Sequence, residues 1–173
     1  LHDALPRSEE RRVGKECNII AVTDAMFDTN MTLNGGGHSL ADVVRISDAA
    51  STVDDDFTNV SNVETLLLNY SGVGAQSVTL AAAAITAGLS TVNAANATDA
   101  VTVDAGSFSN ALAITTGSGN DVIDLGGGIN VVVTGAGSDT VNGALTASDT
   151  IDLGDDNDTF DYRVTALGNV VDG

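Results

Sequence analysis

Five side chains recur at near-constant intervals late in the chain: Asp121, Asn130, Asp139, Asp149 and Asp158. Four of them close a glycine-bearing run, TGSGND, LGGGIN, TGAGSD and LGDDND; the fifth follows ALTAS. A glycine turn exposes carbonyl oxygens, because glycine accepts the positive φ values that such turns need. A carboxylate set beside those carbonyls makes an anionic, all-oxygen site. That suits a hard cation with about six to eight oxygen ligands, which is calcium. The competing reading is a metal-free turn in which Asp and Asn only shape the backbone.

Other chemistries lack their residues. Zinc favours Cys and His, and the chain has one Cys (Cys17) and two His (His2 and His38). A Ser-His-Asp site would have to use His38, in the loop LNGGGHSL, where no nucleophile turn is evident. Glycoside hydrolysis needs two carboxylates with separated pKa values, and the regular period already explains these acids as turn residues. Polysaccharide lysis needs a basic group, and outside the first 17 residues only Arg45 and Arg163 remain, far apart in the chain. The expectation is a protein without catalysis of its own.

The elements that must position the acids follow from the period. Written in nines, Thr116 to Asp161 reads TGSGNDVID, LGGGINVVV, TGAGSDTVN, an extra Gly143, ALTASDTID and LGDDNDTFD. Two places after each Asp or Asn stands a large apolar residue: Ile123, Val132, Val141, Ile151 and Phe160. A turn half and a strand half at fixed short period mean a solenoid, with one inward apolar residue per repeat flanked by outward polar ones. Upstream, Leu67, Val78, Leu89, Val101, Leu112 and Ile123 are spaced by 11 or 12. The fold class is therefore all-β, a right-handed parallel β-solenoid, with wide coils over 57–115 and tight ones over 116–161. Phe57, Val60 and Val63, three apart, predict a tight helical turn. The alanines of LAAAAITAGL predict a short helical turn at 81–87, or else small residues lining a narrow coil. Residues 18–56 read as an irregular N-terminal region containing a stretched copy of the same unit, and Asp54 to Asp56 as a solvated acidic turn. Residues 162–173 end the chain.

The nonapeptide part is similar to the repeats-in-toxin (RTX) motif GGxGxDxUx, a calcium-binding β-roll repeat. The resemblance implies calcium ligands at Asp121, Asp139, Asp158 and Asp149, with turn glycines Gly117, Gly119, Gly135, Gly137 and Gly154. Asn130 stands where one Asp is expected, Asp156 where a glycine is, and the first position is never Gly. Two nonapeptides make one coil in that family. Asp121, Asp139 and Asp158 would then line one edge, and Asn130 and Asp149 the other. The first edge is expected to hold calcium more tightly, and 116–161 to order with the metal. The longer arrangement over 57–161 resembles large bacterial secreted and S-layer-like surface proteins. This implies an extracellular or cell-surface structural module. The alternatives are an adhesin binding module, or the calcium-roll tail of a secreted enzyme.

Residues 1–17, LHDALPRSEERRVGKEC, stand apart. They hold four of the six basic residues and the only Pro and Cys, and they resemble a translated sequencing adaptor. They read as an artefactual, disordered tail. The rest carries twenty acids against Arg45 and Arg163, and nineteen of those acids are Asp. Asp favours turns and caps over helix interiors, so the charge sits in loops. A formal charge of −18 disfavours nucleic acid and anionic membrane as partners. It favours calcium ions, with neighbouring repeats or a cell-surface polysaccharide as macromolecular partners. No apolar run predicts membrane insertion.

Overall fold

The computed structural model describes residues 11–12, 19–37, 40–49, 51–68, 74–143 and 148–162. In chain order the strands are β1 (Arg11–Arg12), β2 (Ile19–Val22), β3 (Leu33–Asn34), β4 (Val43–Ile46), β5 (Ser51–Thr52), β6 (Val60–Ser61), β7 (Thr65–Leu67) and β8 (Gln76–Thr79). There follow helix α1 (Ala82–Ala87), β9 (Thr91–Asn93), β10 (Val101–Asp104), β11 (Ala113–Thr115), β12 (Val122–Leu125), β13 (Val131–Val133), β14 (Thr140–Gly143), β15 (Thr150–Asp152) and β16 (Thr159–Tyr162). Short 3-10 turns occupy Asp24–Met26 and Asp54–Phe57.

Every strand pairing is parallel, and the strands fall into two long walls and one short one. One wall runs β15-β13-β11-β9-β7-β4-β2, the facing wall β16-β14-β12-β10-β8-β5, and the short wall β1-β3-β6. The chain visits the two long walls alternately, so it is a parallel β-solenoid with strands stacked at about 4.8 Å. The register defines two central inner columns. One is Ile20, Val44, Leu66, Val92, Ile114, Val132 and Ile151. The other is Thr52, Val78, Val103, Ile123, Val141 and Phe160. All but Ile151 and Phe160 are buried. Each fully buried Val, Leu or Ile contributes roughly 1.5–3 kcal/mol.

The coils narrow along the chain. Val44 and Leu66 are register partners, as are Leu66 and Val92, and later Ile114 and Val132. The coil thus goes from 22 to 26 residues and then falls to 18. The wide coils carry the third wall, completed by α1, whose last residue Ala87 accepts from Val63 N–H at 3.1 Å. Their larger cross-section is filled by Phe27, Phe57 and Phe108, with Phe27 and Phe57 edge to face at 5.0 Å. The central columns of the tight coils are aliphatic except for Phe160 in the last described coil.

Three expectations need correction. Leu67 is not an inward residue; its neighbours Leu66 and Leu68 are buried instead. The 11-residue spacing had placed it one position off, and in a strand one position is the opposite face. Ile151 and Phe160 sit in register with the inner columns but are half-buried and 40% exposed respectively. They belong to the last described coil, so no further described coil covers them. Asp54 is no solvated turn residue. Its carboxylate accepts Ala81, Ala83 and Ala84 N–H at 2.7, 2.9 and 2.9 Å, closing the N-terminus of α1 from the coil before. The helix itself lies where the alanines predict. The strands β2, β4 and β5, between 18 and 56, belong to the same two walls as the later ones. Of residues 1–17 only Arg11–Arg12 is described, pairing with Leu33–Asn34. The rest of that tail, His38, Arg163 and residues 163–173 lie outside the described residues.

Candidate metal site: the aspartate edge

The acids of the nonapeptides sit at the two edges where the chain passes between walls. On one edge, Val101 N–H donates to Asp121 Oδ1 at 2.7 Å, Asp121 N–H to Asp139 Oδ1 at 2.8 Å, and Asp139 N–H to Asp158 Oδ1 at 3.0 Å. Each carboxylate thus caps the backbone of the coil before it. Period-2 alternation explains why they face inward. Ile123 points in, Val122 points out, and Asp121 therefore points in as well. Asp121 and Asp139 are each 1% exposed, and their Oδ2 atoms have no hydrogen-bond partner. A buried carboxylate oxygen without a donor or a cation is costly.

The threonines that open two of the nonapeptides have a role of their own. Thr116 Oγ1 donates to Thr134 O at 2.8 Å, and Thr134 Oγ1 to Leu153 O. Both hydroxyls are buried and reach a carbonyl of the next coil. The glycines stack as well. A Cβ on Gly117, Gly135 or Gly154 would run into the carbonyl oxygen of Ala97, Gly117 or Gly135 respectively. A Cβ on Gly119 would meet Asp99, and one on Gly137 the Gly119 carbonyl. Two turn carbonyls already serve the stack: Gly117 O accepts from Ala136 N–H at 3.0 Å and Gly135 O from Asp155 N–H at 2.8 Å. A carbonyl keeps a second lone pair when one is used.

The structure therefore brings Asp121, Asp139 and Asp158 into one column. Gly117, Gly135 and Gly154 form a second column, with Gly119 and Gly137 in a third. Asn130 and Asp149 are on the other edge, where Asn130 N–H donates to Asp149 Oδ1 at 2.6 Å. Among the described residues no three Asp, Glu, His or Cys side chains converge on a point. Any cation here would draw on one or two carboxylates and on turn carbonyls. The oxygen-only, acceptor-only donor set and the two orphaned oxygens fit a hard cation.

Sequence reasoning missed further members of the same device. Asp42 N–H donates to Glu64 Oε2 at 2.8 Å, and Asp24 N–H to Asp48 Oδ1 at 2.9 Å. Both are carboxylates capping the preceding coil, at separations of 22 and 24. The only sequence signal was that Glu64 is the lone Glu outside the tail.

Burial raises the Asp121 carboxyl above the ordinary 3.8, and the Asp139 carboxylate pushes the same way; the Thr116 hydroxyl and the N–H groups of Val101 and Gly117 hold it down. Burial likewise raises Asp56, against its hydrogen bond from Val53 N–H and with Asp24, Asp28 and Asp55 adding to the rise. A carboxyl with a raised folded pKa binds its proton more tightly in the folded chain. Its stabilising effect is full below 3.8 and is lost as pH rises through the folded pKa. In chelator, the melting temperature is therefore expected to increase as pH is lowered from neutral, and Asp121→Asn is expected to flatten that slope. A melting temperature that falls over the same interval in chelator would contradict it.

No family model, curated protein or solved structure matches this chain. No helix among the described residues is long and apolar enough to cross a membrane.

Proposed function

We propose that the chain is a calcium-binding structural repeat module, of the RTX β-roll kind, from a secreted or cell-surface bacterial protein of S-layer-like organisation, and that it carries out no catalysis. The observation that supports this is the pair of buried, donorless oxygens, Asp121 Oδ2 and Asp139 Oδ2, in successive coils of one edge. Asp121, Asp139 and Asp158 would hold the ion, with carbonyls of the Gly117–Gly119 and Gly135–Gly137 turns. Bound calcium would supply positive charge between stacked carboxylates and so remove their mutual repulsion. The protein's part is to fix Oδ1 of each carboxylate on a backbone N–H, which leaves Oδ2 aimed and unable to turn away.

Calorimetric titration of calcium into the 173-residue chain, with circular dichroism in calcium and in chelator, tests the reading. Saturable binding and a rise in melting temperature are expected. Equal spectra and melting in both buffers, with no heat of binding, would leave a metal-free solenoid.

A second reading has its own observation. The register places Ser51, Ser77, Thr102, Val122, Thr140 and Thr159 in one outward column of the second wall. Beside it stand Thr79, Asp104, Asp124, Asn142 and Asp161. A flat face of regularly spaced hydroxyls and carboxylates suits an adhesin module holding a cell-surface polysaccharide.

A further inference from the structure

The two edges of the roll differ in a way that decides where a cation can sit. On the first edge three successive coils carry a carboxylate at the equivalent position, Asp121, Asp139 and Asp158, each linked to the next through a backbone N–H. On the opposite edge the equivalent positions are fixed by the stack. Val131 N–H donates to Leu112 O at 3.0 Å and Thr150 N–H to Asn130 O at 2.9 Å. That column therefore reads Leu112, Asn130, Asp149, with no two successive levels carrying carboxylates. Asn130 is 2% exposed, and its Nδ2 has no acceptor. At the place where the first edge turns an anionic oxygen with no donor, the second turns a positive N–H dipole with no acceptor. A cation is attracted by the one and repelled by the other.

We propose that cation binding is confined to the Asp121–Asp139–Asp158 edge, and that Asn130 is the residue that closes the opposite edge to metal. The inference rests on the calcium reading above and adds sidedness to it. The roll is clamped by ions along one edge only. The other is held by backbone hydrogen bonds and by the Asn130 N–H to Asp149 contact.

The test is calorimetric titration of calcium into the full chain in three forms: wild type, Asn130→Asp and Asn130→Leu. Asn130→Asp puts carboxylates on two successive levels of the second edge, so it is expected to bind one more ion per chain than wild type. Asn130→Leu removes the amide without adding charge, and the number of ions bound is expected to stay that of wild type. An unchanged number in Asn130→Asp, or a reduced number in Asn130→Leu, overturns the inference while leaving the calcium reading standing. Absence of binding in wild type removes both. Should Asn130→Asp unfold in chelator, recovery of the wild-type circular dichroism in calcium supports the proposal, and failure to recover at saturating calcium overturns it.

Discussion

Asp139→Asn is expected to change places with wild type when calcium is added, while Asp139→Ala stays below both. Asp139 does two separable things. Its Oδ1 accepts the Asp121 N–H at 2.8 Å, and its Oδ2 has no partner. Alanine removes both. It leaves a buried backbone N–H without an acceptor, which costs about 1–3 kcal/mol whether or not metal is present. Asparagine keeps a carbonyl oxygen for that N–H and removes only the charge. In chelator, losing one of two neighbouring buried carboxylates relieves desolvation and repulsion, so Asp139→Asn is expected to be at least as stable as wild type. In calcium at a hundredfold excess over Kd, wild type gains about 2.7 kcal/mol that the variants lose in large part. The order in chelator is then Asn, wild type, Ala, and in calcium wild type, Asn, Ala. Chemical denaturation in the two buffers reads both orders. The same order in each would mean that Asp139 acts only as a hydrogen-bonding spine.

Gly135→Ala is expected to be among the most damaging methyl groups in the tight coils. Gly135 has φ +95, where a Cβ costs about 1–2 kcal/mol. The added carbon would also collide with the Gly117 carbonyl oxygen and lie 3.2 Å from Thr116 O. These are backbone atoms of the coil beneath and cannot swing away, so overpacking adds about 1–3 kcal/mol. Gly127 is the internal control. A Cβ there meets nothing closer than 3.6 Å, at Ser109, and the residue is exposed. Gly127→Ala is expected to stay within about 1 kcal/mol of wild type. Similar losses for the two would mean that the coils do not approach each other as closely as the Gly117–Gly135–Gly154 column requires.

Both results turn on contacts between coils. The nine-residue period was enough to read a parallel solenoid and to place Ile123, Val132 and Val141 inside, and the resemblance to a two-repeat coil put Asp121, Asp139 and Asp158 on one edge. That holds because the tight coils keep nearly one length, 18 or 19 residues from one register partner to the next, so near-equal sequence spacing becomes equal position in the stack. The hydrophobic residues of 81–87 likewise marked a helix through their alanines. Where coil length varies, spacing stops being a guide. Asp42 and Glu64, or Asp24 and Asp48, occupy equivalent levels only because the third wall and α1 absorb the extra residues, and nothing local to them says so. Asp54 capping α1 is a contact between coils 27 to 30 residues apart.

What the sequence by itself determined is the repeat: glycine turns, alternating inward and outward residues, and acids concentrated at turns, all local consequences of backbone sterics and side-chain polarity. What only the tertiary structure decided is the company each acid keeps. A carboxylate's chemistry depends on which donors and charges lie within a few ångströms, and here those belong to the neighbouring coil. Asp121, Asp139 and Asn130 look like equivalent turn residues in one dimension. Stacking buries all three, and leaves an oxygen of the first two without a donor and the amide nitrogen of the third without an acceptor, because the partners that each needs would have to come from the neighbouring coils.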